Sequence, residues 1–224
     1  MSEPRLPESL RRAIAADSGP MRRMPPPGLR MLEAVLLAVA LGLVALAVYR
    51  LRADAGSLGW LLVWGPAALQ CLTGAALVGL AVREAVPGWS VGRGRLVGAM
   101  ALGFAVQLGS AAAAWVHGPL VSSEVLARAH GMACASREAM LSLPLLVCTV
   151  FFVLRALPVR PRWSGALAGM GAGVIADGLW HLVCPVSNLE HVLVWHVGAT
   201  AVATVAGWLL GVAWELRERR RLAG

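Results

Sequence analysis

With 224 residues, 58% of them hydrophobic and 14% charged, and a mean hydropathy of +0.70, the chain departs from soluble globular composition and reads as an integral membrane protein. Its net charge of +8 rests on 20 basic residues, all of them arginine. They lie between apolar runs, where arginines orient helices and contact anionic lipid, which argues against direct nucleic-acid binding. Four cysteines without a C-x-x-C pair exclude zinc-ribbon, thioredoxin-like and thiol-oxidase sites, and without H-E-x-x-H there is no metalloprotease signature. No enzyme and no small-molecule substrate are expected.

In chain order, residues 1–30 form a polar unit. Leu6, Leu10 and Ile14 recur every fourth residue and put one apolar stripe on a short amphipathic helix, which Ser18-Gly19-Pro20 should end. Pro25-Pro26-Pro27 then reads as an extended spacer. This helix can rest on the lipid surface or dock a cytoplasmic partner. The first apolar run starts too late, and lacks the flanks, for a removable signal peptide.

Six apolar segments follow, at about 31–49, 58–82, 95–116, 138–157, 163–183 and 190–214, each near the roughly 20 residues a bilayer core requires. The fold class is therefore all-α, an integral membrane bundle of six transmembrane helices behind a short N-terminal cytoplasmic helix, with residues 215–224 as a basic tail. Sixteen arginines fall in the N-terminal tail, the 83–95 and 155–162 loops and the C-terminal tail; the alternate loops hold only Arg50, Arg52, Arg128 and Arg137. By the positive-inside rule both termini are cytoplasmic. Gly65-Pro66 should bend or break the second segment. Gly165, Gly169 and Gly173 give the fifth a flat face for close packing, and Gln70, Gln107 and Asp177 should face the bundle interior.

That topology sends His117, His130, His181, His191 and His196 towards the non-cytoplasmic side. It also places Cys134 in a 117–137 loop and Cys184 in a short loop between the last two segments. Cys71 and Cys148 fall inside segments, where a free thiol packs as a small hydrophobe. For Cys134 and Cys184 three readings stand: a structural disulfide, a redox- or metal-responsive pair, or two unrelated thiols. With His181, His191 and His196 they offer the S/N ligands that zinc or another soft divalent ion takes; otherwise the histidines are interfacial groups beside Trp180 and Trp195. A haem-binding or metal-binding membrane protein, or a small transporter using Asp177, Gln70 and Gln107, is the alternative class.

Three stretches together carry a resemblance. They are Leu10 to Arg30 with its arginines and prolines; Cys134 ahead of Leu143-Pro144 and Arg155; and Trp180-His181-Leu-Val-Cys184-Pro185 followed by His191-Val-Leu-Val-Trp-His196. Over nearly the whole chain the sequence resembles the NrsF family of bacterial inner-membrane proteins, six-helix anti-sigma factors that restrain an extracytoplasmic-function sigma factor. The resemblance implies that Cys134 and Cys184 are the paired sensor of heavy-metal or oxidative stress. It also implies that the cytoplasmic face, including Leu6, Leu10, Arg11, Arg12, Ile14 and Arg23, holds the sigma factor.

Overall fold

The computed structural model describes residues 7–17, 24–89, 91–117 and 124–223. All regular structure among them is helical. In chain order the elements are α1 (Glu8–Asp17), α2 (Pro27–Tyr49), α3 (Ala55–Leu58), α4 (Trp60–Glu84), α5 (Arg93–His117), α6 (Glu124–Arg155), α7 (Pro161–His181), α8 (Leu189–His191), a π-helical turn (Val192–Val197) and α9 (Gly198–Ala223).

Five of these stretches are long and apolar enough to cross a membrane: Pro27–Tyr49, Trp60–Glu84, Arg93–Ala113, His130–Arg155 and Leu189–Arg221. Their outward faces carry large apolar side chains, among them Leu36, Leu43, Leu72, Leu102 and Val202, all more than half exposed. Water does not tolerate so much contiguous apolar surface, whereas lipid does. The inward faces are small: α2 buries Ala34, Ala38, Gly42 and Ala45 at helical spacing.

The fifth expected segment differs in kind. At 21 residues α7 is long enough to span a bilayer but is not among the five, because glycines and Asp177 dilute its hydropathy. Nearly every residue from Ser164 to Gly178 is buried, for α7 is the central helix and packs chiefly on α9, α4 and α6. Selection there is for smallness. A Cβ at Gly169 would collide with the Ala203 carbonyl, one at Gly165 with the Gly207 carbonyl, and one at Gly171 would meet the Gly74 carbonyl at 2.8 Å. Two glycine faces on one helix thus admit two backbones at once.

Three expectations need correction. The 117–137 loop is largely absent: α6 starts at Glu124, because the alanine-rich run before Arg137 favours helix, so Cys134 sits on a helix. Pro66 does not break α4, which runs through it. The 163–183 and 190–214 segments also begin one or two residues earlier than expected, at Pro161 and Leu189, and the last helix continues to Ala223 through the basic tail. At the N-terminus α1 leaves Leu10 and Ile14 exposed, while Leu6 and Arg23 lie outside the described residues.

The basic loops gather at one end of the bundle. There Arg30 donates to the Phe152 carbonyl at 3.3 Å, Arg160 reaches the Val91 carbonyl at 3.1 Å and Glu84 at 3.7 Å, and Arg162 lies 3.5 Å from Glu215. Cys134 and Cys184 lie at the other end. About 30 Å of α7 separates the two, at 1.5 Å per residue.

Gly169→Leu is expected to destabilise the bundle by about 1–3 kcal/mol or more, since it overpacks a backbone contact that cannot yield. Gly98→Leu, where a Cβ meets nothing within 4 Å, should be neutral. Thermal unfolding in detergent compares the two; equal midpoints would mean that α7 and α9 do not pack along this seam.

Candidate metal centre

Cys134 projects from the second turn of described side chains in α6, and Glu138 lies four residues on, hence on the same helix face. Cys184 stands just beyond α7, where its backbone N–H donates to the Trp180 carbonyl at 2.9 Å. Arg52 holds that loop from outside. Its backbone N–H donates to the Leu182 carbonyl at 2.9 Å, and its guanidinium reaches Ser187 Oγ at 3.2 Å and the Pro185 carbonyl at 3.4 Å while paired in a fork with Asp54 at 2.6 and 2.8 Å.

The two histidines are brought together by an unusual piece of helix. Residues five apart are 140° apart around an α-helix, but in a π-turn residue i bonds i+5 and the two stack on one side. The turn from Val192 to Val197 has this winding, and the Gly198 N–H bonds back to the Leu193 carbonyl. His191 and His196 therefore lie with ring centroids 5.3 Å apart. Asn188 starts the segment by accepting from the backbone N–H groups of Glu190 and His191.

The result is a buried group of four ligands. One ligand atom each from Cys134, Cys184, His191 and His196 lies within 4.8 Å of every other. The Cys134 and Cys184 sulfurs are 3.6 Å apart, and Cys184 Sγ is 3.6 Å from His191 Nε2. A tetrahedral zinc with Zn–S of about 2.3 Å and Zn–N of about 2.0–2.1 Å has S–S edges of about 3.8 Å and S–N edges of about 3.6 Å. The donor set fits such an ion with little movement. Both cysteines are free thiols in this structure.

His196 is prepared for ligation on its other side. Its Nδ1 lies 3.0 Å from Asp177 Oδ1 and 3.2 Å from Glu138 Oε2, while its Nε2 is buried without a hydrogen-bond partner. A ligating histidine characteristically donates its second ring N–H to a carboxylate, which fixes the tautomer and raises its basicity. Asp177 is itself held: Gln70 Nε2 and Gln107 Nε2 both donate to its Oδ2 at 2.9 Å, and Gln107 also reaches Thr200 Oγ1 at 2.8 Å. Helices α4, α5, α6, α7 and α9 thus converge on one carboxylate–imidazole pair.

His181, expected among the ligands, turns instead towards α4, with Nε2 3.3 Å from the Leu62 carbonyl. His130 is exposed, and the side chain of His117 lies outside the described residues. Sequence reasoning missed Glu138 and Arg52. The Cys134–Glu138 spacing would have pointed to the first had the region been read as helix, whereas nothing local marks Arg52 as the clamp on a loop 130 residues away.

The outward apolar faces and the buried group of soft ligands define an all-helical bundle protein whose core could hold a metal ion. The chain belongs to the NrsF family, whose description is "negative regulator of sigma F" and whose pattern matches residues 14–216. A curated relative, the anti-sigma-F factor NrsF of Caulobacter vibrioides (strain NA1000 / CB15N), is 30% identical over 208 residues, covering 88% of this chain and 92% of its own length. No solved structure matches the chain.

The hydrogen bond that the Cys184 thiol donates to Cys134, together with burial, pushes the Cys184 thiol well above the usual thiol range, so an incoming metal ion must displace its proton. Zinc binding should therefore tighten as pH rises. Asp177→Asn is expected to weaken it about 10–100-fold, the usual effect of losing an outer-shell carboxylate. Calorimetric titration of the purified protein measures both; an unchanged affinity in Asp177→Asn would remove the carboxylate from the outer shell.

Proposed function

We propose that the protein is a membrane anti-sigma factor that crosses the bacterial inner membrane six times, with both termini cytoplasmic. It holds an extracytoplasmic-function sigma factor at its basic end and releases it when the cysteine–histidine group at the other end binds a soft divalent ion. Family membership supports the sigma-factor role. The observation that carries the sensing role is the buried set of four ligand atoms, with a carboxylate already in place behind His196.

α7 counts as the sixth span in this reading: it is long enough, and its low hydropathy reflects a central position away from lipid. The sorting of arginines to one end of the bundle supports the orientation. Leu10, Arg11, Arg12 and Ile14 are exposed on α1 and form the docking surface, joined by Leu6 and Arg23.

The device works by drawing elements together. Cys134 belongs to α6, Cys184 to the loop after α7, and His191 and His196 to the start of the last helix. An ion held by all four fixes α6, α7 and α9 relative to one another, and the glycine-lined contacts of α7 carry that shift to the basic end. Moving a two-state element from 1% to 99% takes about 5.5 kcal/mol. Structural zinc sites supply about 10–16 kcal/mol, which is ample. The 3.6 Å separation of the thiols also favours oxidation as a second trigger. There an oxidant takes two electrons, two protons leave, and the sulfurs close to about 2.05 Å. A disulfide contributes about 2–4 kcal/mol and would give a more graded response.

Co-purification of a sigma factor with the solubilised full-length protein tests the reading. Cadmium should release it from wild type and not from Cys134→Ser/Cys184→Ser, and deletion of residues 1–30 should abolish capture while the protein remains inserted. No captured sigma factor from cells that express one would reject the anti-sigma role; equal release from the double variant would reject the sensor.

A further inference from the structure

Between α6 and the last helix runs an apolar groove of about 540 Å³, within the roughly 300–1,000 Å³ of small-molecule sites. One wall is α6 from Ala135 to Leu146; the other runs from Val194 to Ala206, across the π-turn and into α9. Both walls belong to stretches long and apolar enough to cross a membrane. Small side chains open the groove, Ala139 and Ser142 on one wall and Gly198 and Ala199 on the other, with the exposed Met140 and Val202 at its margins. Towards Cys134 the indole of Trp195 bridges the walls, so close to Gly131 of α6 that a Cβ there would collide with it.

The lining and the length of the groove select what fills it. Its two hydroxyls are already used: Ser136 donates to the Ala133 carbonyl at 3.0 Å and Ser142 to the Ala139 carbonyl at 3.2 Å. An occupant with hydrogen-bonding groups would leave them unpaired here at a cost, whereas hydrocarbon has none to satisfy. In lipid the gain is packing, since an unfilled groove leaves its lining atoms without partners on one side. Each wall is about 17 Å long at 1.5 Å per residue, roughly half of the 30 Å hydrocarbon core. The groove therefore has the depth of a single leaflet, on the side of Cys134 and Cys184. A helix from a second copy would cross the whole core, and the lining stops at Leu146 and Ala206.

We propose that this groove is a lipid site that takes one acyl chain of a phospholipid from the leaflet on the Cys134 side. The chain enters sideways from the bilayer, and its headgroup stays at the surface beyond Trp195. It fills the seam between the two helices that carry Cys134 and His196 and props their spacing, while neither of those residues lines the groove. The site rests on the membrane placement above and is independent of metal binding.

Photolabelling of the full-length protein in phosphatidylethanolamine–phosphatidylglycerol vesicles tests the site, with a phosphatidylethanolamine carrying a diazirine in mid-chain as the probe. After irradiation, mass spectrometry of the digested protein should find adducts on Ala139 to Leu146 and on Gly198 to Ala206 several-fold in excess of those on the lipid-facing residues of α2 from Leu36 to Leu43. Native mass spectrometry from mild detergent should find one retained phospholipid per chain. Ala139→Phe, or Ala199→Leu should the first variant not fold, should bring the labelling down to the level of α2 and lose the retained lipid. Equal labelling of all outward faces would mean bulk lipid only and overturn the site, as would a folded filling variant that keeps the excess. A groove that stays unlabelled in a protein that cross-links as a dimer would assign it to a second copy instead. Protein that fails to enter the vesicles would overturn the membrane placement, and the lipid site with it.

Discussion

The contact between Asp177 and His196, 3.0 Å apart and buried, is the interaction on which the rest of the structure depends. A carboxylate in the middle of an apolar bundle is costly unless its oxygens are satisfied. Here one oxygen faces imidazole and the other accepts from two glutamines on different helices. Removing any partner would leave a buried group exposed to low dielectric, so the network fixes the relative depth of α4, α5, α7 and the last helix. The same arrangement leaves His196 Nε2 as the atom free to accept a ligand. The residues that satisfy the buried carboxylate are therefore also the ones that flank the candidate ligand atom.

That network would be of little use to a sigma factor unless its state reached the opposite end of the bundle. α7 is suited to this because its neighbours touch its backbone. At Gly165, Gly169 and Gly171 a side chain would collide with a carbonyl of α9 or α4. Flexible side chains absorb small displacements by changing rotamer, whereas backbone packed on backbone passes them on. At the far end the first residues of the helix are tied to other elements by Arg160 to Glu84 and Val91, and by Arg162 to Glu215. In the proposed mechanism these ion pairs beside the basic loops are what a shift at Asp177 would reach through α7.

The helical nature of the chain and the approximate positions of its long apolar segments were legible, because a run of some twenty apolar residues has few other solutions. Length and hydropathy were less informative about α7, whose glycines and aspartate record its central place and not its contact with lipid. Around Cys134 the polar residues suggested a loop, while helix propensity and packing against Trp180 won, and with the helix came Glu138 on the cysteine's own face. That His191 and His196 share a side could not be read from a spacing of five, because the α-helical period separates them and only a wider π-turn unites them. The approach of Cys134 to Cys184 is set by how α6 meets the end of α7, and fifty residues of intervening sequence leave that open. Partners from opposite ends of the chain, such as Arg52 and the Cys184 loop, leave no local trace at all.

X-ray absorption spectroscopy of the cadmium- or zinc-loaded full-length protein tests most directly whether the buried group is the receptor. Two sulfur and two nitrogen neighbours are expected, supplied by Cys134, Cys184, His191 and His196, with both sulfurs lost in Cys134→Ser/Cys184→Ser. An all-oxygen shell, or a sulfur signal that survives the double substitution, would contradict a metal receptor at this place in the bundle.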